Sequence, residues 1–174
     1  MKIRTAQSGR RAALLVECAI VYPLTFFFIL GLIVGGMGIF RYQQVAHLAR
    51  EAARFASVHG GQYAQDNASA ITAGTQPTVN DSYLTNNIVK ANSFALDPTA
   101  LAVQITLNTT NGSYDWDNTS ATYSRWPYST IIQNGAVVPV QNTVSVTVSY
   151  GWVPELYLVG PINLQSTAVM PMNY

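Results

Sequence analysis

Charge is what this sequence has least of. Of its 174 residues only 10% are Asp, Glu, Lys or Arg, against roughly 25% in a typical soluble domain. Nine basic and eight acidic residues leave a formal net charge of +1. The chain therefore lacks both the basic excess of a nucleic-acid binder and the acidic excess of a disordered tail. A single cysteine, Cys18, excludes an intrachain disulfide framework and a cysteine-cluster metal site. Two histidines, His47 and His59, leave little material for imidazole chemistry, and no Ser/His/Asp arrangement stands out. No cofactor, metal or enzymatic activity is expected. What the chain has instead is apolar surface, 49% of its residues with a mean hydropathy of +0.16, and a length that suits one domain of ordinary size.

The few charges are unevenly spread. Lys2, Arg4, Arg10 and Arg11 occupy the first eleven positions without an acid, and Glu17 stands alone in residues 12–40. The first 54 residues carry +5 and the remaining 120 carry −4. From Cys18 to Phe40 there is no charge over 23 positions. As a helix that stretch is roughly 35 Å long, enough to cross a hydrocarbon core of about 30 Å with some tilt. A basic segment before it predicts a cytoplasmic N-terminus and an exterior C-terminal region. The run is too long for a cleavable signal peptide and leads into Arg41-Tyr42-Gln43 rather than a small-x-small site. Glu17 before Cys18 does not suit lipid attachment either. The expectation is a single-pass anchor spanning about residues 18–40.

The helix is expected to continue. In residues 41–58, Val45, Leu48, Ala49, Ala52, Phe55 and Ala56 recur at helical spacing, while Arg50, Glu51 and Arg54 fall mostly off that stripe. Gly60-Gly61 is a stop signal. The pattern predicts one helix over about 13–58, apolar all round in its first half and amphipathic in its second. Pro23 removes a backbone hydrogen bond inside it and predicts a kink. Gly31 and Gly35, with Gly36 and Gly38 nearby, would allow another helix to approach closely.

Glu17 is the informative residue. A carboxylate near the start of a membrane helix is expensive and points to function, although one at the interface can reach the headgroups. The stretch from Arg10-Arg11-Ala12-Ala13 through Glu17, the early Pro23 and Ala49-Arg50-Glu51-Ala52-Ala53-Arg54 resembles the TadE/TadG-like pseudopilins of bacterial tight-adherence (Tad, Flp) pili. It covers about 50 residues strongly, and Val144–Tyr150 and Ser166–Met170 more weakly. Two positions depart from the family pattern: Ala12 stands where Gly is usual, and Cys18 where Phe or Tyr is usual.

The resemblance implies a processed, assembling subunit. Residues 1–12 would be a basic cytoplasmic leader, removed between Ala12 and Ala13 by a prepilin peptidase. Glu17 would then pair with the new α-amine of Ala13 on a neighbouring subunit, because a buried carboxylate is tolerated when it finds such a partner. That pairing would set axial register, as buried polar groups do in coiled coils. Partners would be other Tad pilins and pseudopilins, the inner-membrane assembly platform and membrane lipid.

Residues 59–174 change in character, to Asn, Thr, Ser, Gln, Tyr and Val. Residues 60–80 read as a loop. In residues 81–95, Leu84, Ile88, Ala91 and Ala95 share one face of a short helix, capped by Asn80, Asp81 or Ser82 and ended before Asp97-Pro98. Leu101, Val103, Ile105 and Leu107 alternate with polar or small residues, as do Val144, Val146, Val148 and Tyr150. Asn111-Gly112 and Asn134-Gly135 are hairpin signals, the second inside a strand candidate at 131–140. Ser166–Met170 is the last strand. The fold class is α+β: a long N-terminal transmembrane and amphipathic helix, then a small antiparallel β-sheet domain on the pilin plan. Asp115-Trp116-Asp117-Asn118 lacks the glycine and terminal Glu of a calcium loop and reads as an acidic turn. The aromatics Tyr114, Trp116, Tyr123, Trp126, Tyr128 and Trp152 read as core or as a contact surface. The functional expectation is a pseudopilin or minor-pilin component of a Tad-type pilus or related secretion machine. The alternative is an anchored extracytoplasmic binding module that never enters a filament.

Overall fold

The apolar run and the amphipathic run form one helix, α1, Ala6–Ser57, 52 residues long. The computed structural model describes residues 6–60, 63, 66–76, 81–109, 112–115, 130–139, 142–154 and 160–173. At about 1.5 Å per residue α1 is some 78 Å long. It begins at Ala6 rather than near Ala13, so Arg10 and Arg11 are helical. Extending a helix backward adds one hydrogen bond per residue without a new nucleus, and Ala6–Ala12 contains no proline. Its portion Ala13–Ser57 is long and apolar enough to cross a membrane, and none of the most apolar window is buried within the molecule. Among the described residues this is the one helix suited to membrane anchoring, at the N-terminal end, as a single pass requires.

The C-terminal end of α1 is closed in detail. The last turn of a helix leaves carbonyls without intrahelical donors. Here the Arg54 carbonyl accepts from Ser57 Oγ at 2.9 Å, and the Ala56 carbonyl from the His59 N–H at 3.2 Å. The Phe55 carbonyl lies 2.8 Å from His59 Nδ1, which must donate, since a carbonyl only accepts. The Ser57 carbonyl accepts from the N–H of Asn173, at the far end of the chain, at 2.9 Å.

Among the described residues six strands come after it: β1 (Leu101–Thr109), β2 (Gly112–Asp115), β3 (Thr130–Gln133), β4 (Ala136–Pro139), β5 (Thr143–Trp152) and β6 (Ile162–Pro171). Four form an antiparallel sheet in the order β2-β1-β5-β6, and β3 with β4 forms a separate hairpin. β5 pairs with β1 from Leu101↔Tyr150 to Asn108↔Thr143, and with β6 from Trp152↔Ile162 to Thr143↔Pro171. The period of two then sorts the faces. Leu101, Ile105, Leu107, Val144, Val146, Val148, Tyr150, Trp152 and Ala168 are buried on the inner face. Gln104, Ser145, Thr147, Ser149, Gln165 and Thr167 line the outer one, where the Thr147 and Thr167 hydroxyls meet at 2.8 Å.

The second half of α1 lies against the inner face. Val45, Leu48, Ala49, Ala52, Ala53 and Ala56 are fully or almost fully buried there, and Phe55 is half-buried. Burying one Val or Leu side chain in this way stabilises by about 1.5–3 kcal/mol. Ala53 widens the expected stripe, and four alanines on one face let the helix come close to the sheet.

β1 and β2 pair antiparallel up to Thr109↔Gly112, so Gly112 is a strand residue rather than part of a turn, and Asn111 lies outside the described residues. The second hairpin signal holds. Asn134 and Gly135 have φ of 53° and 79°, the two positive values that a two-residue turn between right-twisted strands needs.

Two expectations are corrected. The segment read as a loop over 60–80 contains a five-residue helix, α2, Ala68–Thr72. The segment 81–95 is not one regular α-helix. A single turn, α3 (Asp81–Tyr83), runs into a π-helical segment, Leu84–Lys90. Its wider turn brings residues five apart onto one face, so Leu84 and Val89 are buried while Ile88 is half-buried and Ala91 and Ala95 are exposed. Asn80, one of the expected caps, lies outside the described residues.

Candidate functional site

Ala12, Ala13 and Glu17 lie within α1, after its first turn. Ala13 and Glu17 are four residues apart and so share a helix face. Both are exposed. Among the described residues Glu17 has no hydrogen-bond or ion-pair partner. Cys18 is partly exposed and has a free thiol. Around them the helix presents Leu14, Leu15, Val16, Ile20, Val21, Tyr22, Leu24 and Phe26–Ile29 outward, each about half exposed or more. A lone carboxylate on an apolar, unpacked helix has nothing from its own described residues to neutralise it.

Pro23 is inside α1, and its missing N–H leaves the Ala19 carbonyl without the usual bond. The glycines divide. A Cβ at Gly31, Gly35 or Gly36 would meet nothing within 4 Å, whereas one at Gly38 would lie 2.6 Å from Cζ3 of Trp152. Three glycines therefore leave open helix surface, and the fourth receives a side chain of the chain's own sheet.

That contact belongs to a joint at the end of the uncharged run. Trp152, the last residue of β5, is only 4% exposed. The Arg41 guanidinium sits 5.1 Å from its ring centroid, a cation–π arrangement. The indole Nε1 of Trp152 is buried and, among the described residues, has no hydrogen-bond partner. Trp152 thus belongs to the core rather than to an exposed aromatic surface. Trp116, Tyr123, Trp126 and Tyr128, with Asp117 and Asn118 of the acidic turn, lie outside the described residues.

The two histidines also part company. His47 is exposed, with Nδ1 3.7 Å from a Glu51 carboxylate oxygen one turn away. His59 stacks on Phe55 with centroids 3.9 Å apart and meets Tyr63 edge-on at 4.5 Å. The sequence signal for the His59 contact is its spacing of four from Phe55 just before Gly60.

No curated protein and no solved structure matches the chain. Residues 12–54 match the model of a family described as TadE-like protein. The matched segment holds Ala12, Ala13, Glu17, Pro23, the four glycines and the Ala49–Arg54 stretch, and the match is consistent with a TadE/TadG-like protein of a Tad pilus.

Proposed function

We propose that this protein is a membrane-anchored pseudopilin or minor-pilin component that assembles a Tad-type pilus or a related secretion machine, with a structural rather than a catalytic part to play. One observation carries the reading: a TadE-like helix whose most apolar window is wholly unburied, with a lone carboxylate, Glu17, just before its uncharged run. Side chains as large as Phe27 and Phe28, both exposed, need an apolar surrounding, first the bilayer and then the helices of like subunits.

In this reading the protein sits in the bacterial inner membrane, with the basic residues 1–12 as a cytoplasmic leader and residues 59–174 outside. A prepilin peptidase cuts between Ala12 and Ala13. The bond lies inside α1, less than two turns from its first residue, where local opening is cheapest. Glu17 of one subunit accepts the α-amine of Ala13 on the next, removing the cost of two isolated charges in an apolar place. Gly31 and Gly35 provide the close approach between helices, and Pro23 loosens the first half so that it can adapt. The partners are other Tad pilins and pseudopilins and the inner-membrane assembly platform.

The test is Glu17→Ala, read in cells that express the whole assembly. Membrane insertion should be unchanged, and co-purification with partner subunits should fall to background. Normal incorporation of the variant would sink the reading. Mass spectrometry of the N-terminus should find a chain beginning at Ala13; an intact leader favours the permanently anchored binding module instead.

A further inference from the structure

The sheet has a defined direction along α1. At the upper end, the Asn142 carbonyl accepts from the Met172 N–H at 2.8 Å, and Asn173 reaches Ser57. At the lower end Trp152 meets Gly38. Nineteen helical residues span about 28 Å and ten strand residues about 33 Å, so β5 runs back down the helix from Ser57 toward the membrane.

Its lower end goes further than the first charge. Arg41 is the first charged residue after the uncharged run, and Phe40 the last uncharged one. Gly38 lies two residues, about 3 Å, inside that run, and Val34, which also packs against the core, lies about 9 Å inside it. The headgroup layer on each side of a bilayer is roughly 5–7 Å deep. The residues around this end suit such a layer. Arg41 places its guanidinium over the Trp152 ring at this level. Val153 is 56% exposed, and Ile162, opposite Trp152 in register, is 37% exposed. Ile39, Phe40 and Tyr42 of the helix are exposed at the same level. Residues 151–154 and 160–163 carry no charge.

We propose that the Trp152 end of the sheet is a lipid-contact surface: Val153 and Ile162, beside the buried Trp152, seat the domain in the headgroup layer, so that it lies on the bilayer rather than standing clear of it. The occupant is lipid because the surface is continuous with the membrane-spanning part of α1, on whose anchoring the inference rests.

The test places single nitroxide labels on the full-length protein in phosphatidylcholine/phosphatidylglycerol nanodiscs, one chain per disc. Cys18→Ser removes the native thiol, and F28C, V153C, I162C and T147C then each carry one label. Accessibility to oxygen against a water-soluble nickel chelate reports depth. V153C and I162C should favour oxygen several-fold more than T147C, on the outer face of the sheet, and F28C more strongly still. If F28C is lipidic while V153C and I162C match T147C, the domain stands off and this inference alone fails. If F28C matches T147C, the anchor reading fails first. If V153C is shielded from both reagents in discs loaded with several chains and matches T147C with one chain per disc, the surface belongs to a second copy and the lipid proposal is overturned.

Discussion

The two halves of α1 are one continuous helix, yet they are made for different surroundings. In the first half the large side chains face outward: Leu24 is 70% exposed and Phe28 68%. In the second half the buried face is mostly small, with Ala49, Ala52, Ala53 and Ala56 at zero exposure around Leu48. Small residues bring the helix axis close to a sheet whose valines already fill the space between. Large ones with no protein partner maximise contact with an apolar solvent. Hydropathy alone does not tell these apart; side-chain size and the alternating strands later in the chain do.

The sharpest way to break the comparison is to put the same charge into each half. Leu48→Lys puts an ammonium into the core cluster that holds Val45, Ala52 and the β5 valines, and the domain should not fold. Circular dichroism and protease resistance in detergent would show its strand signal lost. Leu24→Lys should leave the domain's melting curve unchanged and reduce membrane insertion, by up to about 3 kcal/mol, the cost of a lysine at the centre of a span. If both variants keep a folded domain, the second half of α1 is not part of the core. With Leu48→Ala the same contrast becomes graded, a loss of about 3 kcal/mol against none for Leu24→Ala.

A finer comparison sets Gly38 against Gly35. Gly38→Ala drives a methyl into the Trp152 ring, which is held between the helix and Arg41. Overpacking of this kind costs about 1–3 kcal/mol, and thermal unfolding of the domain in detergent should shift down accordingly. Gly35→Ala meets open space and should leave that transition where it is. Under the proposed function it should instead weaken association between subunits, read by cross-linking in the membrane. Equal effects on unfolding would remove the distinction between an internal joint and a free packing surface.

Much of this was legible from periodicity. Val144, Val146, Val148 and Tyr150 announced β5 because a one-sided sheet must alternate, and Val45 to Ala56 announced the packed stripe because a helix must repeat every 3.6 residues. Asn134-Gly135 announced its turn because few residues accept two positive φ values in succession. What was missed depends on contacts between distant segments. Nothing local to Gly38 distinguishes it from Gly35; Trp152, 114 positions later, does. The closure of Ser57 by Asn173 is equally non-local. The π-helical turn at Leu84–Lys90 was hidden because Leu84 and Ile88 fit a regular helix as well as Leu84 and Val89 fit a wider one. Glu17 was conspicuous for the opposite reason: a lone charge in an apolar run needs no tertiary information to be seen.

The smallest expected effect lies where the domain is most like an ordinary soluble protein. Asp97 precedes a short 3-10 turn, Pro98–Ala100, and its Oδ1 accepts from the Thr99 backbone N–H at 2.9 Å and the Thr99 hydroxyl at 2.7 Å. The Thr99 hydroxyl first, and its backbone N–H second, hold the Asp97 carboxyl below its ordinary value of 3.8. A depressed carboxylate binds protons less readily in the folded chain than in the unfolded one. Its contribution is therefore complete above the ordinary value and is lost as the pH falls through the folded one. Being fully exposed, Asp97 can contribute only weakly. Asp97→Ala should lower the melting temperature slightly at neutral pH, and melting curves recorded toward strong acid should converge with those of the parent. A gap that stayed constant down to that range would mean that the side chain acts through its shape rather than its charge, and that turn would then owe its stability to Pro98.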